Sequence, residues 1–366
     1  MRVILTGGGT GGHIYPALAL YRIWKERYPE TEFLYIGTEN GLESSLVPRQ
    51  NIPFKSIEIQ GFRRSLSLKN FQTVYKFLTS VRKSKQLISE FDPDIILGTG
   101  GFVCGPVVYS ATQLGIPSCV HEQNSIPGLT NKFLARYVDR IATCFEDTAQ
   151  YFPKHKEKVI LTGNPRAQEV ASLERAGVLE DYGLDSDKPT VLIFGGSRGA
   201  YKINQMTVAA FDFLSRKDYQ VLFATGESYY KDEIEGKGLQ LNTETFKTVP
   251  YIPNMPEVFT NVSMVVARSG ATSLAEITAL GLPSVLIPSP NVTNDHQTKN
   301  ADSLAKRGAA KLLSESELTV KQLTHDIDTM MSNTELRQEM SAASLEMGIQ
   351  NAGDLLMDAM LAIMKT

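Results

Sequence analysis

Short apolar runs alternate along the chain with longer segments whose apolar residues follow helical spacing. The apolar runs have the length and composition of strands that are buried on both faces. In the first half the pattern predicts helices beginning after Gly12, near Leu42, at Leu68 and near Phe102, and strands at 3–5, 33–36, 95–97, 118–120 and 140–142. Strands that alternate with helices are typical of a parallel sheet covered by helices, so the predicted fold class is α/β.

The same pattern starts again at "KPTVLIFGGSRGA", residues 188–200, with a strand, a glycine loop and a helix from Tyr201. Further strands are predicted at 220–224, 246–249, 263–267 and 284–287. From about Leu318 the sequence is helical and rich in Met, Leu, Ala and Glu, and we expect these terminal helices only to pack. The pattern predicts two Rossmann-like domains, 1–164 and 165–366, that face each other across a cleft.

Length and composition agree with this plan. The 366 residues are too many for one ordinary core and suit two domains. No apolar run approaches the roughly 20 residues of a membrane-spanning helix, and the N-terminus enters a strand without a secretory signal pattern. Three cysteines without CxxC spacing and five histidines without an HExxH pair argue against disulfides and zinc. We therefore expect a cytosolic protein with reduced thiols.

The net charge of -3 conceals an asymmetry, since residues 1–165 carry 19 Lys and Arg against 14 Asp and Glu. Within this basic half, residues 61–89 hold seven Lys and Arg and no acid. A helical register from Leu68 places basic residues around an apolar stripe: Arg63, Arg64, Lys69, Lys76, Arg82, Lys83 and Lys85 around Leu68, Phe71, Val74, Tyr75, Leu78 and Val81. One interpretation is an amphipathic helix packed on its own domain, and the other is a surface that docks on an anionic membrane.

Three glycine loops follow predicted strands: "GGGTGGH" at 7–13, "GTGGF" at 98–102 and "GGSRGA" at 195–200. Backbone N–H groups at such turns bind phosphate, although glycines there also serve plain packing. The first loop has the GxGxxG spacing of dinucleotide-binding proteins. Those proteins need an acidic residue at the end of the second strand, and here Glu39 comes too late. We therefore expect no dinucleotide cofactor, and we interpret the loop as presenting His13.

The segment "ARSGATSLAEI", residues 267–277, combines polar groups and a carboxylate at a strand-to-helix junction. Glu276 is placed to accept hydrogen bonds from ribose hydroxyls. The alternative is a helix-capping box in which Thr272 or Ser273 pairs with Glu276. At the next junction, "NDHQTKNA" offers His296 and Gln297 to a ligand or to solvent.

Seven segments together resemble the MurG family of bacterial glycosyltransferases, from Met1 to beyond residue 300: "TGGGTGGHIYPALAL", "GTGGFVCGP", "HEQNSIPGLTNK", "LTGNPR", "GGSRGA", "ARSGATSLAEI" and "DHQTKNA". The resemblance implies a GT-B fold, UDP-N-acetylglucosamine as donor and undecaprenyl-diphosphate-linked MurNAc-pentapeptide (lipid I) as acceptor. It implies inversion at the anomeric carbon, which gives the β-1,4-linked lipid II of peptidoglycan synthesis. The donor-binding residues of the family carry over onto Thr10, Gly11, Gly12, Asn124, Arg166, Ser197, Ile252, Glu276 and Gln297.

Inverting sugar transfer needs a base for the acceptor hydroxyl and groups that stabilise the departing diphosphate. His13 fits the role of catalytic base, because the dipole at a helix N-terminus favours a neutral ring; a histidine that only caps the glycine loop is the alternative. Backbone N–H groups near Ser197 and Ser269, helped by Arg166 or Arg268, are candidates for binding the diphosphate. The sequence lacks a carboxylate pair in a diphosphate-binding context. We expect catalysis without a metal or cofactor.

Two other functions stay open on the sequence alone. A non-hydrolysing UDP-N-acetylglucosamine epimerase shares the two-domain plan but needs no lipid acceptor, and a noncatalytic sugar-nucleotide-binding subunit would recruit a partner to the membrane. For a transferase we expect as partners the donor, lipid I, an anionic membrane surface and other cell-wall synthesis proteins, but no nucleic acid. The expected location is the cytoplasmic face of the cell membrane, with peripheral attachment.

Overall fold

The computed structural model describes residues 1–59 and 69–364, apart from the side chains of residues 69–74 and Thr293. The chain forms two compact units, Met1–Arg166 with Asn351–Thr366, and Ala167–Gln350. Within the described residues each unit contains one sheet, and all strand pairs are parallel. The predicted fold class, two parallel α/β units, is confirmed.

In the described part of the first unit, the sheet contains seven strands: β1 (Arg2–Thr6), β2 (Glu32–Gly37), β3 (Phe54–Ser56), β4 (Ile95–Gly98), β5 (Ser118–Glu122), β6 (Arg140–Thr143) and β7 (Val159–Leu161). Their order is β3-β2-β1-β4-β5-β6-β7. Thr6 at the carboxyl end of β1 lies beside Ile36 of β2 and Gly98 of β4. The strand order reverses at this point, and open α/β sheets bind ligands at such a reversal.

Alternate residues of β1 enter two cores on opposite faces of the sheet. Val3 and Leu5 belong to one core and Ile4 to the other, and all three side chains are fully buried. Burial on both faces explains why this strand is a continuous apolar run without polar alternation.

Helices cover both faces of this sheet: α1 (Gly11–Arg27), α2 (Glu43–Leu46), α3 (Lys69–Phe91), α4 (Cys104–Gln113) and α5 (Leu129–Leu134), with short 3-10 helices at Pro48–Gln50, Glu146–Tyr151 and Lys156–Lys158. A further helix, α6 (Pro165–Ala171), spans the point at which the chain passes from the first unit to the second. Helices α1 to α4 begin within about two residues of their predicted positions, which is the usual uncertainty of a helix end, whereas the sequence pattern did not predict α5 and α6.

The second unit repeats the plan with strands β8 (Thr190–Phe194), β9 (Gln220–Ala224), β10 (Phe246–Val249), β11 (Met264–Ala267), β12 (Ser284–Leu286) and β13 (Lys311–Leu312). Their order is β10-β9-β8-β11-β12-β13. Its helices are α7 (Tyr201–Ala209), α8 (Phe211–Leu214), α9 (Glu227–Tyr229), α10 (Met255–Phe259), α11 (Ala271–Ala279), α12 (His296–Ala305), α13 (Val320–Ser332) and α14 (Thr334–Met347). Short 3-10 helices lie at Val178–Tyr182 and Thr293–Asp295, and a π-helix at Tyr230–Glu235.

The sequence pattern missed three strands, β3, β7 and β13. Each has only two or three residues, lies at the edge of its sheet, and contains no fully buried residue. A short edge strand lacks the buried apolar run that marks a central strand, so its pairing depends on the neighbouring strand already being in place.

The last helix, α15 (Ala352–Met364), belongs to the first unit, whereas the sequence analysis placed it with residues 165–366 in the second. Its buried side chains Leu356, Met357 and Met360 enter the same core as Trp24 of α1. Helical spacing indicates which face of a helix is apolar but not which domain covers it.

Replacement of Leu356 by Ala is expected to lower the free energy of unfolding of the first unit by about 2–5 kcal/mol, the cost of a cavity in a packed core. Trp24 is the single tryptophan and lies in this core, so its fluorescence during urea unfolding reports the first unit. Leu355→Ala is the matched control, because Leu355 is partly exposed on the same helix. An unchanged Trp24 transition for Leu356→Ala would contradict the packing of α15 described above.

Candidate active site

The first glycine loop lies between β1 and α1 and packs against the loop that follows β4. The backbone N–H of Gly8 donates to the carbonyl oxygen of Gly100 at 3.2 Å. A Cβ on Gly101 would lie 2.4 Å from the Gly8 oxygen, and Gly101 has a φ of +85°. Only glycine fits there, because a side chain would collide with the backbone and force an unfavourable conformation. The glycines therefore allow two loops to approach closely at the carboxyl ends of the central strands.

His13 is the third residue of α1 and is partly exposed beside these loops. Its Nδ1 lies 3.0 Å from the carbonyl oxygen of Gly8, and its own carbonyl oxygen accepts from Thr99 Oγ1 at 2.6 Å. Because a carbonyl oxygen only accepts, Nδ1 is the donor in this hydrogen bond, and in the uncharged form of the ring the lone pair is then on Nε2. The bond to Gly8 is the contact that a purely structural role requires, and it also orients Nε2 to accept a proton.

A buried carboxylate that the sequence analysis did not single out holds the same loop. Glu43 accepts from the backbone N–H of Gly9 at 3.1 Å, and from the backbone N–H and hydroxyl of Thr38 at 3.0 and 2.6 Å. It is fully buried on α2. An acidic residue after the second strand therefore does reach the glycine loop, but it binds the backbone N–H of Gly9 within that loop. The sequence analysis did not single out Glu43, because the dinucleotide-binding pattern places its acidic residue at the end of the second strand and Glu43 lies farther along the chain.

The segment "HEQN" after β5 joins these loops through buried hydrogen bonds. The Gln123 amide nitrogen donates to the carbonyl oxygen of Thr99 at 2.8 Å and to His121 Nδ1 at 2.9 Å. His121 Nε2 donates to the Gly163 carbonyl at 2.8 Å, and burial lowers the pKa of this ring to about 4, so it stays neutral. Glu122 accepts from the backbone N–H of Asn124 at 3.0 Å, which places Asn124 at the carboxyl edge of the sheet.

The other donor-site residues predicted in the first unit lie at the starts of α1 and α6. Thr10 is the N-cap of α1, and Gly11 and Gly12 form its first turn; Thr10 and Gly12 are exposed. Arg166 is partly exposed, and its guanidinium lies over the ring of Tyr15 at 5.8 Å from the centroid. The structure thus places all the predicted residues of this unit in loops or first helical turns.

The second unit contains a cavity of about 440 Å³ at the carboxyl ends of its strands. Residues from the glycine loop after β8, from the junctions after β11 and β12, and from the start of α12 line it: Phe194, Gly195, Gly196, Gly199, Ala200, Tyr201, Lys202, Arg268, Gly270, Ser273, Ser289, Asn291, Gln297 and Glu315. The volume suits a small-molecule ligand, and the lining mixes polar and apolar groups in similar measure.

Four of the predicted donor-site residues belong to this unit, and they differ in exposure and in whether they line the cavity. Gln297 lines the cavity, and its side-chain oxygen accepts from the backbone N–H of Ser289 at 2.9 Å. Ser197 is exposed in the glycine loop but does not line the cavity. Ile252 and Glu276 are both buried, Ile252 in the loop after β10 and Glu276 in the second turn of α11.

The capping-box interpretation of "ATSLAE" is wrong. The N-cap of α11 is Gly270, which has no side chain, and Thr272 and Ser273 both lie inside the helix. A capping box requires its Ser or Thr at the N-cap position itself. Helix capping therefore does not explain the buried position of Glu276.

Arg268 does not present a free charge to the cavity. Its guanidinium donates to the carbonyl oxygens of Ile287 at 3.0 Å and Pro288 at 2.9 Å and forms an ion pair with Glu315. Over residues 1–59 and 69–364, no group of three or more His, Cys, Asp or Glu side chains is placed to hold a metal ion.

Comparison with known families identifies the class. Residues 3–143 match the glycosyltransferase family 28 N-terminal domain, and residues 190–356 match the glycosyltransferase family 28 C-terminal domain. The two parallel α/β units and their glycine loops are thus those of a sugar-transferring enzyme with a GT-B-type fold.

The chain belongs to glycosyltransferase family 28 and, within it, to the MurG family. It is 53% identical over 365 residues, covering all of both chains, to a UDP-N-acetylglucosamine--N-acetylmuramyl-(pentapeptide) pyrophosphoryl-undecaprenol N-acetylglucosamine transferase of Bacillus cytotoxicus, and 52% identical over 369 residues to that of Bacillus pumilus. The crystal structure of MurG from Acinetobacter baumannii superposes with a TM-score of 0.77 at 27% identity and covers 99% of both chains.

Epimerases share the fold. The UDP-GlcNAc 2-epimerase of Neisseria meningitidis matches with a TM-score of 0.70 at 12% identity, over 99% of this chain and 100% of that one. A sequence identity this low shows a shared fold and does not show a shared activity. The epimerase alternative is therefore less well supported than the transferase.

Proposed function

We propose that this enzyme transfers N-acetylglucosamine from UDP-N-acetylglucosamine to lipid I, with inversion, to give lipid II. The observation that carries the proposal is the full-length identity of 53% to a transferase whose name specifies this reaction. The cavity of the second unit supports it, since Gln297 lines that cavity beside a glycine loop. We assign donor binding to this cavity and to the donor-site residues implied by the resemblance to the MurG family. We assign activation of the acceptor to His13.

In the proposed mechanism, His13 Nε2 accepts the proton of the acceptor 4-hydroxyl as that oxygen attacks the anomeric carbon. The bond between the anomeric carbon and the donor phosphate oxygen breaks, and UDP leaves with the electron pair. The hydrogen bond from Nδ1 to Gly8 supports this role, because it fixes the ring and selects the tautomer of the uncharged imidazole whose lone pair is on Nε2. Glu43 is a positioning residue, since it holds Gly9 and so the loop that orients His13.

The reaction is tested with purified protein, radiolabelled UDP-N-acetylglucosamine and a short-chain lipid I analogue. We expect labelled disaccharide only when the acceptor is present, and a turnover roughly 10²- to 10⁴-fold lower in His13→Ala, the usual cost of losing a general base. His155→Ala is the matched control, since His155 belongs to the same unit but lies outside these loops. Epimerised donor without acceptor would indicate an epimerase, binding without turnover would indicate a noncatalytic subunit, and normal turnover in His13→Ala would leave that residue a structural role.

Glu276 is proposed to accept hydrogen bonds from the donor ribose. Glu276→Gln should weaken UDP binding by about 1–3 kcal/mol, the cost of losing a charged acceptor, as measured by calorimetry. Glu335→Gln is the control, since Glu335 is an exposed acid on α14 of the same unit. Unchanged affinity together with a lower melting temperature would give Glu276 a structural role instead.

Peripheral attachment to an anionic membrane is proposed through α3 of the first unit. Tyr75 and Leu78, which the packing interpretation of the sequence would bury, are 69% and 63% exposed, and Arg82 and Lys83 are exposed nearby on the helix. Lys76 pairs with Glu58 at 2.8 Å. The basic positions Arg63 and Arg64 lie outside the described residues, and the side chain of Lys69 does as well. No helix in the described ranges has the length and apolar character needed to cross a bilayer.

Sedimentation with liposomes tests the attachment. Binding should rise with anionic lipid and fall with salt, because each basic residue near such a surface contributes about 1 kcal/mol. It should weaken when Arg63, Arg64, Lys69 and Lys76 are changed to Gln, and when Tyr75 and Leu78 are changed to Ser, while transfer to a short-chain acceptor continues. Lys188→Gln, an exposed residue of the second unit, is the control. Equal binding to neutral and anionic liposomes would exclude electrostatic docking.

A further inference from the structure

Two cationic side chains, Arg268 and Lys202, line the cavity of the second unit, and they differ in their surroundings. The Arg268 side chain is 12% exposed. Its guanidinium donates hydrogen bonds to two backbone carbonyls and forms an ion pair with the carboxylate of Glu315. Its charge is compensated within the protein. To bind an anion, Arg268 would first have to leave these partners, which would leave the partly buried carboxylate of Glu315 without its ion pair.

Lys202 is the second residue of α7 and is half-buried at the cavity wall. Within the described part of the chain its ammonium group has no hydrogen bond or ion pair to another residue. A cation in the first turn of a helix faces the positive end of the helix dipole, which is an unfavourable position by about 0.3–1 kcal/mol. Folding alone therefore gives no reason for a lysine at this position.

The glycine loop that precedes α7 lines the same cavity. Gly199 has a φ of +73°, and a Cβ there would lie 1.9 Å from the carbonyl oxygen of Thr225, so the loop conformation depends on glycine. The backbone N–H groups of such a loop and of the following helix start attract anions. Together with the compensated Arg268–Glu315 pair, Lys202 leaves this cavity with one uncompensated positive charge next to an anion-binding turn.

We infer that Lys202 binds the diphosphate of the sugar-nucleotide donor and stabilises UDP as it departs. The inference rests on the proposed function and names the cation that acts in the donor cavity. When the bond between the anomeric carbon and the phosphate oxygen breaks, the electron pair stays on that oxygen and the diphosphate gains one negative charge. The positive charge of Lys202 stabilises this added negative charge, and the proton of the acceptor goes to His13.

Calorimetric titration of UDP and of uridine into the full-length protein tests the inference, because only UDP carries the diphosphate. Lys202→Met should weaken UDP binding roughly 10- to 100-fold, the effect of losing a charge-assisted hydrogen bond, and leave uridine binding unchanged. Lys202→Arg should keep most of the UDP affinity, and Lys321→Met, an exposed lysine on α13, should keep all of it. The unfolding midpoint of Lys202→Met should be equal to or higher than that of the parent protein, since the unfavourable dipole contact is removed.

Each outcome decides one proposal. If the parent protein binds no UDP, the proposed function fails. If the parent protein binds UDP and Lys202→Met binds it equally well, the role of Lys202 fails and the proposed function stands. Equal losses for UDP and uridine would also overturn the role, because the diphosphate would not be the group affected. If Lys202→Met does not fold, Lys202→Gln supports the same comparison with a polar side chain of similar length.

Discussion

Close backbone approach at the carboxyl ends of parallel strands is the constraint on which both halves of this enzyme depend. In the first unit the loops after β1 and β4 meet through the hydrogen bond from Gly8 to Gly100, with no room for a Cβ on Gly101. In the second unit, Gly199 approaches the carbonyl oxygen of Thr225 in the same manner. Parallel pairing brings these loops together, and glycine permits the distance at which they meet.

A different buried polar side chain lies near each glycine loop. Glu43 accepts from the backbone N–H of Gly9 in the first loop, whereas in the second unit the amide of Asn204 donates at 2.7 Å to the Thr225 carbonyl, the group that Gly199 approaches. The close backbone approach at a glycine therefore occurs in both units, whereas the nearby buried side chain is a carboxylate in the first unit and a neutral amide in the second. The Asn204 amide is uncharged, so it adds no negative charge beside a loop proposed to face a diphosphate.

Electrostatic compensation separates residues that look equivalent in a sequence. Arg268 and Lys202 are both cations at strand-to-helix junctions, but Arg268 is bound by Glu315 and two carbonyls, and only Lys202 keeps its charge available. On α3 the same distinction holds between Lys76, which pairs with Glu58, and the exposed Arg82. A count of basic residues therefore overstates the charge that a ligand or membrane encounters.

The sequence alone determined the α/β class, the central strands, the three glycine loops, the position of His13 and the family, because buried runs, helical spacing and turn residues are local properties. Tertiary structure decided what depends on partners distant along the chain. It placed α15 in the core with Trp24, brought Glu43 to Gly9, buried Glu276 in a helix that Gly270 caps, and exposed Tyr75 and Leu78. Periodicity defines the faces of an element, but only packing decides which face is covered and which charge is left uncompensated.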